Sequence, residues 1–378
     1  MKLAILAQAY LFDKTANING TLVQLYNLSH GFKANHVEVH YVCLTKDPSK
    51  PKHEIVDGIH FYWIKAKPGL LKWKKEMMDY KGALHKIKPD AIYLRGRNVI
   101  LYSAGKYAKK HNVPFVWGTN GDDSAELWKN IKRLKENKKA LIKKVMLFPI
   151  KAFEDLYINK GMKLPQYIVN QNEHQKEQTV KLLNRQSSII NSYYFIDEKK
   201  EKPIKDQVLW LARWSKEKQP ALFLNMVSNI SQPDVTFVMA GDPQNISANN
   251  ELVKKAKALH ISTPGKIAYN QVNSYFSKAL VFVNTSYREG VSNTFIEAML
   301  HGVPVLSLNS NPNNWLSDYN IGYCANGNVM DLTRVLDDLL NNREQLKKMS
   351  EDARSFAKQQ FSNDSIIESY INLFQKNA

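Results

Sequence analysis

The residues best able to do chemistry cluster in the segment Arg288-Glu289-Gly290-Val291-Ser292-Asn293-Thr294-Phe295-Ile296-Glu297-Ala298-Met299, which follows an apolar run and Asn284-Thr285-Ser286. Gly290 permits a tight turn, and Ser292, Asn293 or Thr294 can cap the helix that begins there. The N–H groups and positive end of such a helix make an anion site at the carboxyl end of a strand. The turn leaves Glu289 on the loop and puts Glu297 on the first turns of the helix, so both carboxylates can face one cleft. Two carboxylates beside a phosphate-binding helix end suit a sugar nucleotide: the helix takes phosphate and the carboxylates accept from sugar hydroxyls. A second group is Ala212-Arg213-Trp214-Ser215-Lys216-Glu217-Lys218. Arg213 and Lys218 follow an apolar strand, where two fixed cations can neutralise a diphosphate as it leaves. The third is the loop Asn17-Ile18-Asn19-Gly20, whose backbone at Gly20 could approach the same phosphates. Singly, these are a turn glycine and solvated strand-edge cations. Their order along the chain carries the reading.

Such residues need strands to hold them. Leu3–Ala7, Val37–Leu44, Asp90–Leu94 and Val113–Trp117 read as strands, with a helical pattern from Leu22 to Phe32 after the first. Val208–Ala212, Val235–Ala240, Leu280–Val283 and Val303–Leu306 form a second set, and Met330–Leu340 and Arg343–Gln359 read as closing helices. Strands alternating with helices predict doubly wound α/β architecture, in which ligands sit outside the carboxyl ends of the strands. The polar run over residues 197–206 reads as a linker. The expected organisation is an N-terminal domain over 1–195, a C-terminal domain over 196–360, the two facing across a cleft, and a terminal helix in 361–378 that can pack back on the first. A chain of 378 residues fits two domains at about 100–200 residues each.

Composition narrows the class. With 44% hydrophobic and 23% charged residues the chain is neither disordered nor fibrous. Two cysteines, Cys43 and Cys324, make no disulfide framework and no zinc spacing, and both read as buried small hydrophobes. No apolar run reaches the roughly 18–20 residues that span a bilayer. The short N-terminal apolar stretch ends at Asp13-Lys14 and reads as a buried strand rather than a signal, so the expectation is a cytoplasmic protein.

The chain resembles the retaining, sugar-nucleotide-dependent glycosyltransferases of the GT-B fold, specifically their large fourth family. The resemblance is strongest over residues 208–325. Glu289-Gly290 through Glu297-Ala298-Met299-Leu300-His301-Gly302-Val303-Pro304-Val305 is similar to the family's E-x7-E segment and the strand that follows it. Arg213 and Lys218 match its diphosphate-binding cations, and Met239-Ala240-Gly241-Asp242 looks like its strand end near the nucleotide base. The resemblance implies that Glu289 contacts donor-sugar hydroxyls and that Glu297 holds the ribose. It also implies that backbone amides from Asn293 to Phe295 bind phosphate. Asn120 stands where the family commonly has a histidine near the donor sugar; an amide can hydrogen-bond there but cannot titrate near neutral pH. The implied activity is transfer of a hexose-type sugar from a UDP- or GDP-sugar, with retained configuration, to a glycan or lipid-linked acceptor. No Asp-x-Asp motif is present, so Arg213 and Lys218 are expected to act without a metal.

Charge is uneven. Residues 1–197 hold 33 basic and 17 acidic side chains, and residues 198–378 hold 20 and 18. One strongly basic half is expected to meet an anionic partner. Over 127–148, Leu127, Ile131, Leu134, Leu141, Val145 and Phe148 recur at helical spacing among lysines, with Lys138 interrupting the stripe. That pattern reads either as a helix on an anionic membrane surface or as a core-facing helix with a solvated lysine back. Residues 69–78 are a second membrane candidate. The alternative class is a non-enzymatic polyanion-binding protein, but no nucleic-acid-binding motif is visible and lysine outnumbers arginine in the basic segment, which is weak for base readout. Loss of Glu289, Arg213 or Lys218 would favour that class, and all three are present.

Overall fold

The computed structural model describes residues 1–16, 18–121, 123–136, 141–195, 205–243 and 247–376. The chain divides into two compact α/β units, one of residues 1–195 with 363–378 and the other of residues 196–362. The expected linker lies, apart from Lys205 and Asp206, outside the described residues.

The first unit is built on an eight-stranded sheet. Its strands are β1 (Lys2–Ala7), β2 (Glu38–Thr45), β3 (His53–Val56), β4 (Ile59–Lys65), β5 (Ala91–Arg95), β6 (Phe115–Gly118), β7 (Tyr167–Asn170) and β8 (Ser188–Ile189). They lie in the order β3-β4-β2-β1-β5-β6-β7-β8. All neighbours are parallel except β3, which pairs antiparallel with β4 across a turn at Asp57-Gly58 where both residues have positive φ. Helices connect the strands: α1 (Gly20–Ala34), α2 (Lys72–Ile87), α3 (Ile100–His111), α4 (Lys129–Glu136), α5 (Leu141–Gly161) and α6 (Glu173–Leu183). Both faces of the sheet are covered, which is why β1 can be a continuous apolar run with Leu3 to Leu6 fully buried. Leu25, Leu28 and Phe32 of α1 cover one face. Tyr80 and Leu84 of α2, Leu101 and Ala104 of α3 and Ile158 of α5 cover the other. Gly161 lets α5 lie directly on α3, because a Cβ there would stand 2.7 Å from the Tyr102 backbone nitrogen.

The second unit carries a five-stranded parallel sheet of β9 (Gln207–Leu211), β10 (Thr236–Ala240), β11 (Ala279–Asn284), β12 (Val305–Ser307) and β13 (Gly322–Cys324), in the order β10-β9-β11-β12-β13. Its helices are α7 (Pro220–Val227), α8 (Ser247–Ala258), α9 (Tyr269–Lys278), α10 (Asn293–Leu300), α11 (Trp315–Asp318), α12 (Val329–Asn341) and α13 (Arg343–Phe361). The core gathers Trp210, Phe223, Met239 and Val283 with Leu332, Leu336, Leu339 and Leu340 of α12, whose spacing is that of one helical face. The chain then returns to the first unit through α14 (Asp364–Gln375). Asn363 caps that helix, and Ile367, Tyr370 and Phe374 bury against Phe32 of α1.

Three expectations change. Gly20 is not in a loop: it opens α1, because the Asn19 side chain accepts from the amides of Thr21 and Leu22 and starts the helix two residues before the apolar pattern does. The stripe over 127–148 does not share one environment. Leu134 is buried in α4, while Leu141, Val145 and Phe148 of α5 are exposed; Lys138 lies outside the described residues. Cys43 is buried in β2, but Cys324, at the edge strand β13, is only half-buried. Among the described residues, no helix is long and apolar enough to cross a membrane.

Candidate active site

In the second unit β10, β9 and β11 are neighbours, so the segments that leave their carboxyl ends meet. Thr285, just past β11, ties two of them together. Its hydroxyl accepts from the indole N–H of buried Trp210 at 2.9 Å and donates to the Lys218 carbonyl at 2.7 Å. The Tyr287 amide donates to the Glu217 carbonyl at 2.8 Å. This lacing brings the Lys218 ammonium onto the Glu289 carboxylate as an ion pair, and the Ser286 hydroxyl donates to the same carboxylate oxygen at 3.1 Å. Each partner is about a fifth exposed, so the pair is fixed yet reachable by a ligand. Arg213 is exposed at the end of β9 and makes no ion pair among the described residues.

Gly241, at the end of β10, has a packing reason to be glycine. Its φ is +135°, and a Cβ there would lie 1.8 Å from the Ala212 carbonyl oxygen. The exits of β9 and β10 therefore press together only because this side chain is absent.

The start of α10 differs from the expected cap. Ser292 is the N-cap by backbone shape, but its side chain makes no capping bond; its hydroxyl pairs with that of Thr294 at 2.8 Å. The Phe295 amide donates to the Ser292 carbonyl at 3.1 Å, so the amides from Asn293 to Phe295 are not equivalent. The positive end of the helix stands beyond the carboxyl end of β11, where it favours an anion. Glu297 sits one turn further along, only 6% exposed. Its Oε1 has no hydrogen-bond partner among the described residues. Burial pushes its carboxyl up to about 8, against a hydrogen bond from Tyr269 that pulls the other way. A buried carboxyl with an idle oxygen is set to receive a hydroxyl.

Gly20 and Asn120 belong to the first unit. There the Asn120 side-chain amide donates to the Thr21 hydroxyl, and its backbone amide donates to the Ser124 hydroxyl at 2.9 Å. Asn120 and Thr21 border a cavity of about 640 Å³ lined also by Asn19, Arg95, Arg97 and Lys151 among others; Gly20 does not line it. Arg97 is held by Asp155 at 2.9 Å, and Asp155 is fully buried and also accepts from the Asn130 and Ile131 amides that open α4. Sequence reading missed Arg95, Arg97 and Lys151. Arg95 closes β5 and Arg97 lies two residues beyond it, the strand-exit position that Arg213 holds two residues past β9. Among the described residues no cluster of three or more His, Cys, Asp or Glu is placed to hold a metal ion.

Comparison with known proteins shows what each part of the chain is similar to. The glycosyl transferases group 1 model matches residues 195–356, and the glycosyltransferase family 4 model matches residues 18–149. A 2-deoxystreptamine N-acetyl-D-glucosaminyltransferase of Niallia circulans is 29% identical over 109 residues, a match that takes in 28% of each chain. Among solved structures, sucrose-phosphate synthase from Thermosynechococcus elongatus has a TM-score of 0.69 at 14% identity, covering 99% of this chain and 98% of that one. HepE of Anabaena, solved in complex with UDP and glucose, has a TM-score of 0.67 at 14% identity, with 98% of each chain covered. WaaG, a glycosyltransferase involved in lipopolysaccharide biosynthesis, has a TM-score of 0.64 at 12% identity and 99% coverage of both chains. With one family model matching part of each half of a two-domain α/β chain, the protein has a GT-B-like fold and is similar to the group 1 and family 4 glycosyltransferases.

Proposed function

We propose that the protein moves a hexose-type sugar from a UDP- or GDP-sugar to a glycan or lipid-linked acceptor, with retention of configuration and without a metal, in cell-surface polysaccharide or glycolipid synthesis. The observation that carries the reading is Glu297, a buried carboxyl with an unpartnered oxygen one turn inside α10, whose N-terminus can take phosphate. Residues 196–360 are the donor side and residues 1–195 the acceptor side, completed by the helix in 361–378. The Glu297 carboxyl receives the ribose hydroxyls, and Gly241 flanks the base. The amides around Asn293, Thr294 and Phe295, with the hydroxyl of Ser292, receive the diphosphate. Arg213 and Lys218 neutralise the diphosphate as the bond between it and the sugar's anomeric carbon breaks, which is the charge a metal would otherwise meet. Glu289, steadied by Lys218 and Ser286, accepts from donor-sugar hydroxyls. An acceptor hydroxyl then attacks on the face the diphosphate leaves, giving up its proton to the departing phosphate oxygen. Asn120 and Thr21 mark the end of the first-unit cavity that admits the acceptor. HepE was solved with UDP and glucose, which puts uridine nucleotides first in any screen.

The test is thermal shift against a panel of uridine and guanosine diphosphosugars, with and without EDTA, followed by product analysis with the donor that binds. A selective rise that EDTA leaves unchanged, and a product of unchanged anomeric configuration, support the proposal. An inverted product, turnover abolished by EDTA, or no shift with any donor beside a salt-sensitive shift with oligonucleotides, would overturn it.

A further inference from the structure

We infer that the first three turns of α5 are a docking element for an anionic lipid bilayer, independent of which sugar the protein transfers. Leu141 and Ile142 are 75% and 74% exposed, Val145 and Met146 66% and 67%, and Phe148 and Phe153 47% and 55%. On a helix at about 100° per residue these six side chains fall in one arc of roughly 160°, and Pro149 falls within it. Lys143 stands on one border of the arc and Lys144 on the other, with Lys151 beyond it held by Glu154. Residues 141–153 contain no aspartate or glutamate. The remaining side of the helix packs on α4, where Lys129 and Arg133 pair with Asp123 and Lys132 with Glu126, so residues 123–153 still hold nine basic side chains against three acidic ones.

An exposed apolar face this long is unusual on a protein whose every partner is water. Three occupants are conceivable, and charge selects among them. A second copy docked about a two-fold axis would set the lysine borders of one α5 against those of the other. An uncharged apolar partner would leave the lysines without purpose. A bilayer with anionic headgroups accepts the apolar arc among its upper acyl chains while the lysines reach phosphate, the arrangement that holds interfacial helices. The helix lies on the surface and does not cross it: it carries Pro149 and three lysines among its first eleven residues, and no described helix can span. Its position matters too, since Lys151, Glu154 and Ile158 further along α5 line the cavity that contains Asn120. Seating α5 on a bilayer places that cavity beside the lipid surface.

The test is co-sedimentation of the full chain with vesicles of phosphatidylcholine alone and of phosphatidylcholine and phosphatidylglycerol in equal parts. The wild type should bind the mixed vesicles, bind phosphatidylcholine weakly, and be released by salt. Ile142→Ser with Met146→Ser, both exposed and therefore neutral to folding, should weaken binding at least about tenfold with an unchanged thermal midpoint. Lys143→Glu with Lys144→Glu should remove the preference for phosphatidylglycerol. Failure of the wild type to bind the mixed vesicles would overturn the inference. So would binding that the serine variant retains in full, or self-association in sedimentation equilibrium that the serine substitutions abolish.

Discussion

Glu297→Gln tests the site without any ligand. Glutamine keeps the shape of the side chain and removes its titration. In the folded chain burial raises the Glu297 carboxyl from 4.5 to about 8. Below pH ~4.5 the group is protonated in folded and unfolded chains alike, and wild type and variant should be equally stable. As pH rises from there, the unfolded chain releases its proton while the folded chain holds on to it. The wild type therefore loses stability relative to the variant at about 1.4 kcal/mol per pH unit. By pH 7 the deficit reaches about 3 kcal/mol, and it levels off once pH passes the folded value. For a unit of this size that corresponds to a midpoint roughly 6–12 °C higher in the variant. The measurement is thermal or urea denaturation of both proteins at intervals between roughly pH 5 and pH 8. A gap that stays constant across the range would show that Glu297 is already ionised and solvated in the folded chain, and the case for an idle buried carboxyl would fail. Above the folded value, where the carboxylate accepts with two oxygens and the amide with one, the same substitution should weaken nucleotide binding.

Other substitutions probe the remaining geometry. Lys218→Ala and Glu289→Ala should each lower turnover by about a hundredfold or more, with the thermal midpoint close to wild type because the pair is partly solvated; near-normal turnover in either would remove that residue from the site. Asp155→Ala leaves the Arg97 guanidinium buried without its counter-charge and strips two amides of α4 of their acceptor. It should cost about 3–5 kcal/mol in urea denaturation, and a loss under about 1 kcal/mol would mean that water replaces the carboxylate. Gly241→Ala should lower the midpoint markedly, since its Cβ meets the Ala212 carbonyl oxygen at 1.8 Å on a backbone of positive φ. An unchanged midpoint there would show that the exits of β9 and β10 are free to separate.

Much of this arrangement was legible from residue order. Lys218 and Glu289 are far apart in sequence, yet both follow apolar runs, and runs buried on both faces become adjacent parallel strands with their exits on one edge. The hairpin of β3 and β4 was less visible. Ile59, Phe61 and Trp63 alternate as a strand should, and Asp57-Gly58 is a hairpin turn, but the flanking lysines and histidines of an edge disguise the pattern. The start of α1 was missed for a related reason: Asn17 to Gly20 has the composition of a turn, and only the capping bonds of Asn19 show that the helix has begun. The stripe over 127–148 exposes a deeper limit. Periodicity reports that a helix has an apolar face, not what that face meets. Leu134 and Leu141 share the pattern, and one is buried while the other stands in water.

Unpaired buried polar groups occur away from the site too, Gln207 Oε1 at the start of β9 among them, but three of the second unit's lie close to it. In the second unit Gln219 Oε1, Asn284 Nδ2 and Glu297 Oε1 are all buried and without partners among the described residues. Gln219 follows the Lys218 turn, Asn284 ends β11, and Glu297 lies on the helix that β11 feeds. Each leaves a donor or acceptor unsatisfied at a cost of about 1–3 kcal/mol, which packing alone would have removed by an apolar substitution. Their gathering at one sheet edge, next to an ion pair held by Thr285 and Ser286, is what a fold shaped only for stability would lack. Hydroxyl and phosphate groups of a nucleotide sugar are the partners that would satisfy them, so binding should stabilise this edge more than any other part of the unit. Hydrogen exchange with and without UDP gives the reading: protection concentrated at residues 212–219 and 285–300 agrees with that account, and protection spread evenly over the unit contradicts it.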